Sequence, residues 1–202
     1  MTRRIAFLFP GQGAQTVGMG RDLIGHDRLT DELLARGAEA TGVDLAALCR
    51  RGPLGRLSET AVLQPALVAV SLGLWQRLVD AGVQPAVAAG HSLGELPALA
   101  ASGMLDPPDV LALAAVRGRL MSEAAASHRG GMIAVTGLAA DEVFAAVTDL
   151  AANGVISVAA VNAPTQVTVS GDPGRLDALG RALRRRPGTR ITPLKVSGAW
   201  HS

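Results

Sequence analysis

Hydrophobic residues fall into short runs and longer periodic stretches along the first 127 positions of this 202-residue chain. Two apolar runs, RIAFLF at 4–9 and AVAAG at 86–90, end in glycine-containing turns and predict short buried strands. The remaining apolar spacing predicts helices at 28–41, 45–51, 64–81, 93–102 and 107–126. Strands separated by helices are typical of a parallel sheet with crossover connections. We therefore expect an α/β fold, with Pro65 in the first turn of the third helix.

The pattern changes after residue 127, where shorter runs alternate. These runs predict strands at 132–136, 155–161, 166–170 and 190–196, and helices at 139–152 and 173–186. The resulting order, βαββαβ, is that of the ferredoxin-like arrangement. We therefore expect one domain in two parts: a larger α/β part formed by 1–127 plus 198–202, and an inserted ferredoxin-like part formed by 128–197.

Composition indicates a folded globular protein. Hydrophobic residues make up 49% of the chain and aromatic residues 2%, so alanine, leucine and valine must form the core. The single cysteine, Cys49, excludes an internal disulfide and a cysteine-based zinc site, and we expect no metal. No apolar run has the length of a membrane span, so we expect a cytoplasmic protein with no membrane partner.

Charge argues against nucleic acid as a partner. The net charge is only +2, and no basic stretch is interleaved with aromatic residues. The densest basic run, 181–190, contains three consecutive arginines. It indicates either a solvated helix end or a docking surface for an acidic partner.

The run Gly90-His91-Ser92-Leu93-Gly94 lies between a predicted strand and a predicted helix. In that context G-x-S-x-G forms a nucleophile elbow, a turn so tight that a β-carbon at either glycine would collide with neighbouring backbone. The Ser92 hydroxyl would project at the C-terminal edge of the sheet, beside a helix N-terminus that favours developing negative charge. The sequence therefore predicts that Ser92 is the nucleophile of an acyl-transfer enzyme.

A serine nucleophile needs a base. Of the four histidines, His91 adjoins Ser92 and should point elsewhere from so tight a turn, while His26 and His128 lie in polar, loop-like stretches. That leaves His201, just past the last predicted strand, as the candidate base. No aspartate or glutamate stands out as its orienting partner.

An oxyanion hole needs backbone N–H donors. The amide of Leu93, directly after the nucleophile, is one candidate. The loop at 10–15, PGQGAQ, is well placed to supply a second, because its glycines permit close approach. A dinucleotide-binding loop would require glycine at position 16, which is threonine.

Arg117 lies on a predicted helix face whose other members are apolar: Val110, Leu113, Ala114, Leu120 and Met121. An arginine there needs an anionic partner, because burying an unpaired charge is costly. A planar guanidinium binds a carboxylate with two hydrogen bonds. Two interpretations stay open: an internal ion pair with a core carboxylate, or a grip on a substrate carboxylate.

Five runs carry a family resemblance: FPGQGAQTVGMG at 9–20, GHSLGE at 90–95, RGRLM at 117–121, VNAPTQVTVSG at 161–171 and GAWHS at 198–202. Together they resemble the malonyl-CoA:acyl carrier protein transacylases of fatty-acid synthesis and the related acyltransferase domains of polyketide synthases. The resemblance implies an α/β-hydrolase-like core with a ferredoxin-like insert. It also implies that Ser92 takes a malonyl group from coenzyme A and passes it to the phosphopantetheine thiol of acyl carrier protein.

The same resemblance implies a role for each candidate residue. His201 acts as base and then as acid, and Gln12 and Leu93 supply the oxyanion amides. Arg117 grips the free carboxylate of malonate. Asn162 and Gln166 match positions that line the cleft between the subdomains. No cofactor is bound, since the coenzyme A thioester is itself the substrate, and acyl carrier protein is the partner.

The chain departs from the family pattern in two places. Trp200 stands where the family commonly has phenylalanine, so the acyl pocket could be narrower. Family members also continue past the histidine, and the glutamine whose carbonyl orients it has no counterpart in these 202 residues. Three alternatives therefore stay open: an inactive fragment that only binds carrier protein, a serine esterase or thioesterase, and the acyltransferase subunit of malonate decarboxylase.

Overall fold

The structure is a computed structural model that describes residues 4–152 and 154–202. The chain divides into two compact units, Met1–Met121 and Ser122–Ser202. The boundary therefore falls six residues before the one expected at 127, and 198–202 group with the second unit. The domain limits read from the sequence stay a prediction.

Two strands and a set of helices form the first unit. Its elements are β1 (Ala6–Phe9), α1 (Arg28–Thr41), α2 (Leu45–Arg51), α3 (Leu54–Leu57), α4 (Thr60–Asp80), β2 (Val87–Gly90), α5 (Glu95–Ala101) and α6 (Pro107–Ser127), the last of which crosses the boundary. A turn of 3₁₀ helix, Ser92–Gly94, joins β2 to α5. β1 and β2 pair in parallel, with Phe9 opposite Gly90. This confirms the predicted parallel pairing and places the loops that follow the two strands side by side.

Helix boundaries in this unit follow local capping chemistry. The Asp27 side chain accepts a hydrogen bond from the Thr30 N–H at 2.7 Å, and α1 ends at Gly42, whose φ is 68°. Asp44 caps α2 in the same way through the Ala47 N–H at 2.8 Å. The core beneath these helices consists mainly of leucine, valine and alanine, as the composition requires.

Helix α4 departs from two expectations. It begins at Thr60, so Pro65 lies inside the helix and not in its first turn. The missing N–H of Pro65 leaves the Ala61 carbonyl without its helical partner, and burial of Val62 and the residues from Leu63 to Gly73 offsets that loss. The expectation that no segment resembles a membrane span is wrong for α4 by length and composition, although 67% of its most apolar window is buried inside the protein.

The prediction that both strands are buried is wrong for one of their two faces. Phe7 and Phe9 point into the protein, whereas Leu8 is 78% exposed and Val87 is 58% exposed. Side chains alternate across a strand, so one face of these two strands is covered, and α5 contacts both strands. The opposite face carries apolar residues in contact with water, which is unusual because parallel sheets are ordinarily covered on both faces.

The second unit is a four-stranded antiparallel sheet with two helices. Its elements are β3 (Gly131–Thr136), α7 (Ala140–Ala151), β4 (Ile156–Ala163), β5 (Gln166–Gly171), α8 (Pro173–Leu183) and β6 (Arg190–Pro193). The strands lie in the order β4-β5-β3-β6, and each adjacent pair is antiparallel. The predicted βαββαβ order is therefore confirmed. Val135, Val143, Val167, Val169 and Leu179 are fully buried between the sheet and the helices.

The exposed apolar face of β1 and β2 generates the first prediction. We expect Leu8→Glu to reduce self-association of the 202-residue chain, because exposed apolar sheet surface drives aggregation. The free energy of unfolding should change by no more than about 0.5 kcal/mol, since the side chain packs against little. Light scattering and sedimentation velocity measure the association. Met104→Glu, at a residue that is 70% exposed, is the control. Equal self-association of the two variants would contradict the prediction.

Candidate active site

Ser92 occupies a strained turn between β2 and α5. Its φ is 54°, in the left-handed region that non-glycine residues rarely adopt. A β-carbon on Gly90 would lie 1.9 Å from the Gly94 carbonyl carbon, and one on Gly94 would lie 2.2 Å from the Phe9 carbonyl oxygen. The prediction that only glycine fits on both sides of the serine is therefore confirmed.

The loop that follows β1 lies directly against this turn. The His91 N–H donates to the Phe9 carbonyl at 3.1 Å, and a β-carbon on Gly11 would lie 2.5 Å from the His91 carbonyl oxygen. The His91 imidazole also lies beside Gly11, which agrees with a packing role for that histidine. Gln12, next in the chain, is thus brought to the same edge of the sheet as Ser92, as the sequence predicted for this loop.

Leu93 and Gln12 are each held by further contacts. The Leu93 side chain is buried, which anchors the residue after the nucleophile in the core. The Gln12 Nε2 donates a long hydrogen bond, 3.4 Å, to the Thr60 hydroxyl at the start of α4. Both residues carry backbone N–H groups close to the turn at Ser92, and their role as oxyanion-hole donors stays a prediction.

Arg117 on α6 reaches Ser92, the predicted nucleophile. Its Nη2 donates to Ser92 Oγ at 3.0 Å, and its Nη1 donates to Gln64 Oε1 at 2.9 Å. Both partners are neutral. No carboxylate within 4–152 or 154–202 forms a salt bridge with it, although the Glu95 carboxylate lies near enough to act on its charge.

Burial lowers the pKa of the Arg117 guanidinium, and the nearby Glu95 carboxylate partly opposes that shift. An arginine pKa starts so high that the group stays protonated near neutral pH. A half-buried cation whose hydrogen-bond partners are neutral has capacity for an anion, and its planar fork suits a carboxylate. Arg117 is therefore a candidate anion-binding group beside the nucleophile.

The buried face of α6 is rotated from the one the sequence predicted. The buried residues are Val110, Leu111, Ala114 and Gly118, while Leu113 and Leu120 are exposed. The rotation follows from Gly118, whose added β-carbon would lie 2.9 Å from the Thr60 carbonyl oxygen. Without a side chain at this position, α6 packs closely on α4, and Arg117 lies at the margin of the contact and not within the apolar stripe.

Sequence reasoning missed Gln64. Its side chain is 0% exposed, its Oε1 accepts from Arg117, and its Nε2 donates to Met121 Sδ at 3.1 Å. The two contacts fix which end of the amide faces the arginine. The available signal was a lone polar residue within the apolar stretch of α4, where burial without a partner would be costly.

Comparison with known proteins agrees with this geometry. The family model described as the acyl transferase domain matches residues 6–202, nearly all of the described chain. The chain belongs to the acyl transferase domain family. This family membership confirms the resemblance seen in the five sequence runs.

Relatives of this acyl transferase domain include malonyltransferases. The chain is 38% identical over 201 residues to the malonyl CoA-acyl carrier protein transacylase of Escherichia coli, covering 98% of this chain and 64% of the relative. It superposes with a TM-score of 0.87 and 37% identity on the acyl carrier protein S-malonyltransferase of Vibrio cholerae, covering 98% of this chain and 65% of that structure. The chain thus spans somewhat less than two thirds of the length of these relatives.

A third comparison concerns a complex. The chain has a TM-score of 0.87 and 34% identity to a malonyl-transacylase solved with its type II polyketide synthase acyl-carrier protein, covering 98% of this chain and 64% of that one. That relative binds a carrier protein.

The other predicted site residues of the domain lie in its second unit. Asn162 Nδ2 donates to Thr168 Oγ1 at 3.0 Å, and Gln166 is exposed at the start of β5. The Trp200 ring lies against Gly198, and its buried indole N–H has no hydrogen-bond partner among the described residues. The roles of these three residues stay predictions.

His201 shares one backbone property with Ser92. Its φ is 62°, and within the described ranges these two are the non-glycine residues with positive φ. Backbone strain of this kind concentrates at functional sites. His201 is exposed and lies near the end of the second unit, and its role as base stays a prediction.

A metal was not expected in this domain. Within 4–152 and 154–202, no group of three or more His, Cys, Asp or Glu side chains is arranged to hold a metal ion. Cys49 is buried in the first unit, and burial raises the pKa of its thiol to about 12. This cysteine is therefore a packing residue and not a nucleophile at neutral pH.

The buried contact between Gln64 and Arg117 yields a stability prediction. We expect Gln64→Met, which retains the length of the side chain but removes the acceptor, to lower the free energy of unfolding by about 1–3 kcal/mol. The free energy of unfolding falls because the Arg117 guanidinium stays half-buried but loses the hydrogen bond that offsets the cost of its burial. Urea denaturation measures the change. Gln84→Met, in an exposed loop, should cost no more than about 0.5 kcal/mol, and an equal loss in both variants would contradict the role of Gln64.

Proposed function

We propose that this chain transfers a malonyl group from malonyl-CoA to the phosphopantetheine thiol of acyl carrier protein through an ester on Ser92. The observation that carries the proposal is the 3.0 Å contact between Arg117 Nη2 and Ser92 Oγ. A malonyl ester on that oxygen has its free carboxylate two carbon–carbon bonds beyond the ester carbonyl carbon. The carboxylate then lies within reach of the guanidinium, which can bind it with two hydrogen bonds.

In the first half of the reaction, Ser92 Oγ attacks the thioester carbonyl carbon while His201 accepts the hydroxyl proton. The negative charge that develops on the carbonyl oxygen is stabilised by the backbone N–H groups of Gln12 and Leu93. The carbon–sulfur bond then breaks, and the coenzyme A sulfur leaves with the proton held by His201. Ser92 now carries the malonyl group as an ester.

The second half repeats these steps in reverse with a different thiol. His201 accepts the proton of the phosphopantetheine thiol, whose sulfur attacks the ester carbonyl carbon. The same two amides stabilise the oxyanion, and Ser92 leaves as it recovers its proton from His201. Coenzyme A and acyl carrier protein are thus the donor and acceptor, and the reaction consumes no bound cofactor.

Arg117 also distinguishes this reaction from simple ester hydrolysis. An ester or thioester of an uncharged acyl group would leave the guanidinium with only neutral hydrogen-bond partners beside Ser92. The cost of half-burying that charge is offset best when the substrate itself supplies an anion. The geometry therefore favours a carboxylated acyl group over an esterase or thioesterase substrate.

We further propose that the two units correspond to an α/β-hydrolase-like core and a ferredoxin-like insert, 128–197 of the chain. The βαββαβ order and the strand order β4-β5-β3-β6 support the second assignment, and the parallel strands with a nucleophile elbow support the first. The family resemblance supports a role in substrate contact for Asn162, Gln166 and Trp200 in the proposed enzyme. A cytoplasmic location accords with relatives that act on coenzyme A thioesters.

Acylation of Ser92 tests the proposal directly. Incubation with malonyl-CoA should add the mass of one malonyl group to the chain, on the peptide that contains Ser92. Ser92→Ala should remove this labelling completely, because no other hydroxyl lies in the strained turn. Intact-protein and peptide mass spectrometry measure the product. Wild type and Ser92→Ala labelled to the same extent would show that the proposed nucleophile is wrong.

The role of Arg117 predicts a change in acyl preference. We expect Arg117→Ala to lower kcat/KM for malonyl-CoA at least about 30-fold more than for acetyl-CoA, because loss of a buried charged partner costs about 2 kcal/mol or more. Arg119→Ala, two residues along α6 at an exposed position, is the matched control and should affect both substrates little. Equal decreases in kcat/KM for malonyl-CoA and acetyl-CoA would remove the argument for a carboxylated acyl group.

A further inference from the structure

Gln15 uses both ends of its side chain in the loop that follows β1. Its Oε1 accepts a hydrogen bond from the Gly13 N–H at 2.8 Å, and its Nε2 donates to Ser58 Oγ at 3.1 Å. Ser58 follows α3 directly and lies two residues before the start of α4. Gln15 therefore connects the backbone of its own loop to the helical framework of the first unit.

Gln12 lies between two fixed points of this loop. On one side, Gly11 packs so closely on the His91 carbonyl that a β-carbon would come within 2.5 Å of its oxygen. On the other side, Gly13 has a φ of 114° and donates its N–H to Gln15. Because peptide units are planar, holding the two units that flank Gln12 also holds the direction of the Gln12 N–H.

Two glutamine side chains connect this loop to the helices, and the hydrogen bonds of Gln15 are shorter than that of Gln12. The Gln12 side chain contacts Thr60 Oγ1 at 3.4 Å, near the limit for a hydrogen bond, whereas both Gln15 contacts lie within the ordinary range. An oxyanion donor is effective only if it is aimed before the charge develops, so that no reorganisation is needed during the reaction. The loop therefore needs a rigid connection, and Gln15 provides it.

We propose that Gln15 is a positioning residue for the oxyanion-hole amide of Gln12, acting through Gly13 on one side and Ser58 on the other. This proposal rests on the proposed acyl transfer, because the direction of the Gln12 N–H matters only if that N–H stabilises an oxyanion. Gln15 touches no reacting atom. Its effect should therefore fall on the rate of acylation and not on the binding of malonyl-CoA.

Three variants separate the possibilities. Gln15→Leu retains the approximate volume and loses both hydrogen bonds. Gln15→Glu keeps an acceptor for the Gly13 N–H, and the Ser58 hydroxyl can rotate to donate to the carboxylate. Gln84→Leu, in an exposed loop, is the control for replacing a glutamine. Single-turnover acylation of Ser92 by malonyl-CoA, KM, Tm and backbone amide exchange in the unliganded chain are measured for each.

We expect Gln15→Leu to slow acylation roughly 10-fold, less than the roughly 10²–10³-fold cost of removing an oxyanion donor outright. KM should change little, Gln15→Glu should recover most of the rate, and amide exchange at Gln12 and Gly13 should become faster in Gln15→Leu. An unchanged acylation rate in Gln15→Leu, or no recovery in Gln15→Glu, would overturn the proposal. So would a lower Tm and a smaller reactive fraction with an unchanged rate constant, which is the signature of a purely structural tether.

Failure of the proposed function would appear differently. In that case the wild-type chain itself would not be acylated by malonyl-CoA. Amide exchange at Gln12 and Gly13 would then still test the tether, since it needs no substrate. Equal exchange in the wild type and Gln15→Leu would overturn the positioning role, and faster exchange in the variant would support it.

Discussion

The close backbone contact between Gly94 and the end of β1 sets the geometry on which the rest of the first unit's site depends. A β-carbon on Gly94 would lie 2.2 Å from the Phe9 carbonyl oxygen and 2.9 Å from that of Pro10. This approach allows the 3₁₀ turn to begin at Ser92 with a φ of 54°, at a cost of order 1–3 kcal/mol. Pairing of β1 with β2 and burial of Leu93 offset that cost.

The N-terminal part of α4 is the second element on which the site relies. The Thr60 hydroxyl accepts from Gln12, the Thr60 carbonyl lies against Gly118, and Gln64 one turn later holds Arg117. A neutral amide as the arginine's partner has a chemical consequence. A carboxylate in its place would neutralise the guanidinium and compete with an anionic ligand, whereas glutamine orients the charge and leaves it available.

The two residues that the acyl-transfer proposal assigns to proton transfer share a strained backbone conformation. Ser92 and His201 are the non-glycine residues with positive φ in the part of the chain that the structure describes, one in each unit. Their surroundings differ: Ser92 lies in a turn packed between backbone segments, whereas His201 lies in an exposed stretch past the last strand. Ser92, the proposed nucleophile, is therefore fixed within the first unit by packing around it.

Sequence patterns were sufficient for features that depend on local chemistry. The βαββαβ order, the parallel pairing of the first two strands, and the need for glycine at 90 and 94 follow from periodicity and from the volume of a β-carbon, and the structure confirms them. The acyl transferase family was also recognisable from five short runs, because their side chains have few substitutes. Such features depend on neighbours in the chain, which the sequence contains.

Tertiary packing decided the rest. Helix α4 continues through Pro65 because burial outweighs one lost hydrogen bond, and the covered face of α6 was set by the contact of Gly118 with Thr60. The apolar pattern could not predict that one face of β1 and β2 is exposed. It gives the positions of apolar residues in the chain and not the residues that cover them. Gln64 and Gln15 acquire their importance only from partners 53 and 43 residues away in the chain. No local pattern specifies such partners, because they come together only when separate helices and loops pack.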